Sequence, residues 1–358
     1  MSPGDKKKTL VTGAAGFIGA HVVRALLAEG HEVRALHLPG DDLRNLRGLD
    51  VELVAGDVTD RDRLRAATAG REWVFHLAAI YALWLRDPPR MRHVNVEGTR
   101  RVLEVARERG VERVIYTSSI ARFGGQGLGR HVDEQSPFAL GSTGDPYACS
   151  KAEAHEVAVE AARTQDVTIV APTGPIGPGD VGPTPTGRLL LAVLSMPVVV
   201  VTRSATNFAD VRDIAQGHVL AATRGARGES YLLGHRDLSL EALARLALRV
   251  MGLARPVLVA PTTLARLAAR AALALTEHVT HRAPLLTPAA VAIAERGLTA
   301  DCSRAVRELG LPQTPIDIAI RDALRWFARE GYIADRAMRD RVLALGDGGE
   351  IPIREGPP

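Results

Sequence analysis

Tyr147 and Lys151 stand four residues apart in the run Tyr-Ala-Cys-Ser-Lys, a spacing that puts both side chains on one face of a helix. A free tyrosine loses its proton near pH 10 and is a poor base at neutral pH. An ammonium beside it favours the phenolate, so the pair can deliver or remove a proton at a carbonyl or alcohol oxygen. Lysine is otherwise scarce here. Only Lys6, Lys7, Lys8 and Lys151 are lysines among the 45 basic residues. Lys151 is read as the one lysine of the folded body, at a position where arginine would not serve. Thr117-Ser118-Ser119 adds hydroxyls that can hydrogen-bond an oxygen whose charge is changing. Taken alone, such a run is more often a strand-end cap.

These groups need a scaffold, and the chain supplies a repeating one. Lys8–Thr12, Glu32–Leu36, Val51–Ala55, Trp73–Leu77, Arg113–Thr117 and Val167–Ala171 read as buried strands. Helical stretches intervene, notably Ala15–Glu29, Asn95–Arg109 and Asp145–Arg163. Repeated β-α-β units predict an α/β fold, a Rossmann-type doubly wound parallel sheet, with a smaller and mostly helical C-terminal substrate domain. The expected division gives 7–175, with 209–235 returning, to the dinucleotide domain. It gives 176–208 and 236–333 to the substrate domain, and 334–358 to a disordered tail. Pro172–Gly187, dense in proline and glycine, reads as the loop crossing between the two. Helices are expected over Asp213–Thr223, Leu238–Met251, Thr262–Leu275, Pro288–Arg296 and Pro315–Glu330, and a strand over Ser230–Leu233.

The first strand runs into Thr12-Gly13-Ala14-Ala15-Gly16-Phe17-Ile18-Gly19. Glycines here permit a tight turn, a close approach of pyrophosphate to the backbone, and close packing of helix on strand. The helix N-terminus then offers free N–H groups to the phosphates. A nicotinamide dinucleotide is therefore the expected cofactor. Gly13, Ala15, Gly16, Phe17, Ile18 and Gly19 form its cradle. Asp57 and Val58 sit at the adenine end, and Leu77, Ala78 and Ala79 give small-residue access after the fourth strand. His37 and Leu38 stand where the choice between NAD and NADP is made, followed by Asp41, Asp42 and Arg44; the signal is mixed and the preference stays open. Asn95, Thr117, Tyr147 and Lys151 complete the cofactor-facing set, with Lys151 also suited to hold the nicotinamide ribose. Tyr81 and Trp84 can form an aromatic wall for substrate, beside Ser119.

Composition narrows the partners. Charges are interspersed and the formal net charge is +4, which does not make a nucleic-acid footprint. Cys149 and Cys302 provide neither a disulfide framework nor metal spacing, so no metal is expected. With no apolar segment ahead of the first strand, the reading is cytoplasmic. Val257–Leu275 is the longest apolar stretch, but Arg266 and Arg270 interrupt it. It reads as a helix packed in the smaller domain, ahead of a peripheral membrane contact, and no membrane partner is expected.

The glycine turn, the serine pair and Tyr-x-x-x-Lys together resemble an extended short-chain dehydrogenase/reductase over roughly residues 8–333. Three further segments look closest to the dihydroflavonol-reductase-like and hopanoid-associated sugar-epimerase group. They are His76-Leu77-Ala78-Ala79, Val94-Asn95-Val96-Glu97-Gly98-Thr99, and Gly174–Asp180 with Pro183–Gly187. The resemblance implies that Ser119 is the catalytic serine, Tyr147 the acid/base and Lys151 its partner. It implies that Pro172 and Thr173 line the nicotinamide; relatives commonly form dimers, so a homodimer is one expectation and the oligomeric state stays open. Two departures stand out. Leu38 replaces the arginine that dihydroflavonol reductases use for a 2′-phosphate, and Phe208-Ala209-Asp210-Val211 replaces Phe-x-His-Val. The shared triad fits a reductase that exchanges hydride with free NAD(H) or NADP(H), and equally an epimerase or dehydratase that retains its cofactor. Apolar residues in the C-terminal half favour the reductase, acting on an apolar ketone or secondary alcohol. A non-catalytic dinucleotide-binding regulator is the third reading.

Overall fold

The computed structural model describes residues 6–346 except 83, 86, 282, 283 and 285. Seven parallel strands form the central sheet: β1 (Lys8–Thr12), β2 (Glu32–His37), β3 (Glu52–Ala55), β4 (Trp73–His76), β5 (Arg113–Thr117), β6 (Val167–Pro172) and β10 (Ser230–Leu233). Their order is β10-β6-β5-β4-β1-β2-β3, so the winding reverses between β1 and β4. Ligands of open α/β sheets bind outside the strand ends at that switch point.

Alternation along the strands explains why both faces are covered. Val11, Ala35, Phe75 and Ile115 enter one core, packed by α1 (Phe17–Ala28) and α7 (Val211–Arg224). Leu10, Leu36, Val74 and Tyr116 enter the other. There they meet α2 (Arg61–Thr68), α4 (Thr99–Glu108) and α5 (Pro146–Ala162). A strand buried on both faces must be apolar at every position, which is what made these runs legible. The short α3 (Pro88–Arg92) leads into a π-turn at His93–Gly98 ahead of α4, where the sequence predicted one uninterrupted helix from Asn95.

The second half departs from expectation in four places. The proline- and glycine-rich crossing holds a strand, β7 (Gly174–Ile176), and the start of α6 (Pro185–Ser195). The mostly helical region also contains sheet. β11 (Arg236–Ser239), β9 (Ala205–Asp210) and β7 make a three-stranded sheet, and β12 (Val257–Ala260) pairs in parallel with β8 (Val199–Thr202). These strands pack with α6, α8 (Leu240–Val250) and α11 (Ile316–Arg329) around Leu190, Phe208, Leu243, Ile320 and Phe327. Third, the segment read as tail from 334 includes a helix, α12 (Arg336–Leu343), whose Val342 is fully buried in that core. Asp335 caps it at the Met338 N–H, 2.6 Å away. The rest of that expectation, 347–358, lies outside the described residues. Fourth, α9 (Thr262–Leu275) packs by one narrow face only, against α10 (Pro288–Arg296), and leaves most of its leucines in the open.

Lys151 is also not alone among ordered lysines. Lys7, at the foot of β1, is buried and bridges Glu72 and Glu112, each at 2.9 Å. That ion pair ties three neighbouring strand entries together, and an amine on a flexible stem reaches both carboxylates.

Candidate active site

A cleft of about 1150 Å³ opens along the C-terminal ends of the strands. One flank is the glycine turn. Gly13 has φ +68°, and a Cβ there would press on the backbone of Ala78 at 2.8 Å. Gly19 faces inward, and any Cβ would overlap the Gly13 carbonyl. Gly16 is different: its φ is ordinary at −69° and it is exposed. It is the N-cap of α1 and has no side chain to bond the first N–H groups, whereas Asp145, Asp210 and Ser239 cap α5, α7 and α8. A bare, dipole-bearing helix end at the cleft wall is the chemistry a pyrophosphate requires. The residues present therefore fit a dinucleotide.

At the other flank α5 starts from a buried cap. The Asp145 carboxylate accepts from the Ala148 N–H at 2.7 Å, and Pro146 occupies the first helical position. This fixes the register that turns Tyr147 and Lys151 into the cleft. The Lys151 ammonium donates to the Thr117 carbonyl at 2.6 Å and lies 5.3 Å from the Tyr116 ring centre. Burial lowers its pKa to about 7. Burial also pushes the Tyr147 phenol up to about 12, against a hydrogen bond with Ser119 that lowers it. The expectation that the lysine would pull the phenol down is thus not met: desolvation dominates, and the amine is held to a backbone carbonyl. Ser119 does two things. It caps the following turn, accepting from the Ala121 N–H at 3.2 Å, and it meets Tyr147.

The cleft gathers most of the residues the sequence singled out. Gly13, Ala15, Gly16, Phe17, Ile18 and Gly19 line it, as do His37, Leu38, Asp57 and Val58. So do Leu77, Ala78, Ala79, Thr117, Pro172 and Thr173. Tyr81 lines it too, its ring edge-on to Tyr147 at 4.7 Å between centres. Two residues do not. Trp84 is half-buried outside the lining. Asn95 is buried behind the wall, where it brackets the Ile80 backbone and donates to Ser150 at 2.9 Å. It fixes the loop carrying Tyr81 against the helix carrying Tyr147, and does not face a ligand. The π-turn around it was the unread signal, since such turns often mark functional positions. The departure at Asp210 is a packing feature. That carboxylate caps α7 and pairs with Arg212 at 2.5 Å, while Phe208 faces the cleft.

What sequence reasoning missed is the far wall. Leu189, Val200, Phe208, Leu264, Ile293 and Leu298 come from six separate elements or loops and give the cleft an apolar lining, Ile293 and Leu298 packing in one cluster with Tyr147. At the opposite end, Asp41 and Asp42 line the cleft, while Arg44 is turned to Asp42 at 2.8 Å and to Glu330 at 3.4 Å.

Comparison with known proteins agrees with this geometry. The model of the NAD dependent epimerase/dehydratase family matches residues 9–234. A protein of Synechocystis sp. named "Putative dihydroflavonol 4-reductase" is 38% identical over 332 residues, covering 90% of this chain and 95% of its own. Sterol demethylase protein B of Methylococcus capsulatus is 36% identical, covering 91% of this chain and 99% of its own. The crystal structure of gox2253 superposes with a TM-score of 0.80 at 36% identity, over 92% of this chain and 100% of that one.

Proposed function

The chain belongs to the NAD dependent epimerase/dehydratase family, as an oxidoreductase of the extended short-chain dehydrogenase/reductase type that uses a nicotinamide dinucleotide, and we propose that it reduces the ketone of an apolar polycyclic or aromatic molecule, or oxidises the corresponding secondary alcohol. The observation that carries this reading is the apolar lining of the cleft around Tyr147. Leu189, Phe208 and Leu298 inside the cleft, with the exposed Val200 and Leu264 at its open side, offer a hydrocarbon skeleton an apolar surface and offer a charged nucleotide sugar no partner. The relatives named for a dihydroflavonol and for a sterol point to the same substrate class.

When bound, the dinucleotide supplies or accepts the hydride. The chain's own residues manage the oxygen. Tyr147, protonated well beyond neutral pH, donates its proton to the carbonyl oxygen as the carbon gains hydride. Ser119 hydrogen-bonds the same oxygen, and the Lys151 ammonium, though desolvation outweighs it in the resting phenol, is the counter-charge for the phenolate that remains until solvent returns the proton. Tyr81 packs edge-on against Tyr147 and holds its ring. The carboxylates of Asp41 and Asp42 favour ribose hydroxyls over a 2′-phosphate, so NAD(H) is the proposed partner.

Incubation with NADH or NADPH and a panel of apolar ketones tests this. Oxidation of NADH stoichiometric with alcohol is expected, with NADPH poorer, and Tyr147→Phe should lower the rate by about a thousandfold or more. The second reading, an epimerase or dehydratase, rests on Arg90, the one arginine among the described lining residues and the group a sugar-linked diphosphate would meet. Tight retention of cofactor without net oxidation would favour it.

A further inference from the structure

Helix α9 is inside out. The residues it buries are alanines, Ala265 and Ala269, set against Val291. Leu264, Leu267 and Leu275 are 59%, 65% and 53% exposed. At 3.6 residues per turn these leucines and Ala271 fall within an arc of about 80°. Beside the helix, the outward positions of the β8–β12 pair repeat the inversion. Val200 and Leu258 are register partners and both are exposed, while Val199 and Val257 point inward. Soluble surfaces seldom leave so many large aliphatic side chains together.

Charge identifies what covers this face. Between Asp180 and Asp210, and again between Glu241 and Glu277, the chain has no acidic residue, although basic and acidic residues number 45 and 41 overall. These two segments supply β8, β12 and α9, and they carry Arg188, Arg203, Arg245, Arg249, Arg255, Arg266 and Arg270. Arg245 and Arg266 have carboxylate partners in Glu241 and Glu295; the two segments still carry more arginine than the carboxylates that meet it. A second copy of the chain is a poor occupant, because a two-fold interface would set a surface with more arginine than carboxylate against itself. The face is also continuous with the cleft: Val200, Ala260, Leu264 and Ala268 line its mouth. A protein seated there would stopper the entrance. A fluid apolar phase would open into it.

We propose that α9 and the β8–β12 pair form a docking surface for an anionic lipid bilayer, with the leucines at the acyl boundary, the arginines at the headgroups and the cleft mouth against the membrane. No described helix is long and apolar enough to cross a membrane, so the contact is interfacial. The inference uses the apolar cleft and not the reaction. Binding is read without substrate, so its failure and failure of the reductase reading are separate results.

The test is flotation of the full chain with phosphatidylcholine vesicles, with and without about a third phosphatidylglycerol. Wild-type protein is expected to float with the anionic vesicles, less with the neutral ones, and less in high salt. Leu267→Gln with Leu275→Gln, both outside the cleft lining, should lower the bound fraction about tenfold or more while NADH binding is unchanged. Wild-type protein that stays in the soluble fraction with both vesicle types would overturn the proposal. So would a dimer in light scattering that the double variant converts to monomer without any vesicle binding.

Discussion

The two walls of the cleft are built on opposite terms. The sheet wall is backbone and small residues: Gly13, Gly16, Ala78 and the Thr117 carbonyl, held by seven strands in one register. The cap wall is side chain, with Leu189 from α6, Val200 from β8, Phe208 from β9 and Leu264 from α9. The first wall admits few changes, because its shape is the main chain. The second can change residue by residue without moving the fold. In the proposed reaction the cofactor takes the constrained wall and substrate choice falls to the adjustable one.

That contrast can be broken at either side. The largest effect is expected at Gly16. A Cβ there would come within 3.2 Å of the Gly13 carbonyl, a contact that a small shift relieves, and φ is ordinary, so the fold should survive a valine. Its side chain would stand between the helix end and the phosphates, and dinucleotide affinity should fall by roughly a hundredfold, about 3 kcal/mol. Calorimetric titration alongside a melting curve checks both halves; unchanged affinity would deny α1 its role. On the cap wall, Leu189→Asp should raise KM for an apolar ketone about tenfold and leave NADH affinity alone, since it places an unpaired charge on the hydrocarbon surface. Equal losses in both would mean the walls are not separable.

The smallest effect joins the two. Lys151 titrates at about 7 in the folded cleft because burial disfavours its charge. Its ammonium is complete below that value and lost as pH rises through it. Reduction at saturating NADH should therefore fall about threefold from about pH 6.5 to 7.5, as one group titrating near 7 requires, and Lys151→Gln should flatten the profile at a lower rate. A wild-type profile already flat over that range would remove the ammonium from the mechanism.

The same contrast decided what the sequence disclosed. The sheet wall was legible because each β-α-β unit repeats one pattern, and because Gly13, Gly16, Gly19, Tyr147 and Lys151 are local motifs with local reasons. The cap wall was not, because Leu189, Phe208 and Leu264 are ordinary apolar residues until the fold brings them together. β7 was hidden by Pro172, Pro175 and Pro178, which read as loop. α6 did carry a signal, Thr184 as cap with Pro185 at the first helical position. Asn95 was placed in the site for its motif, and tertiary packing put it one layer behind.

In the proposed reaction, hydride leaves this enzyme in a reduced, released apolar product. Turnover of a responsive ketone with NADH deuterated at the transferred position tests it most directly. One deuterium on the carbinol carbon of the product for each NAD formed, absent in Tyr147→Phe, is the predicted result. Deuterium that never reaches a released product, with cofactor still bound and unoxidised, would contradict it.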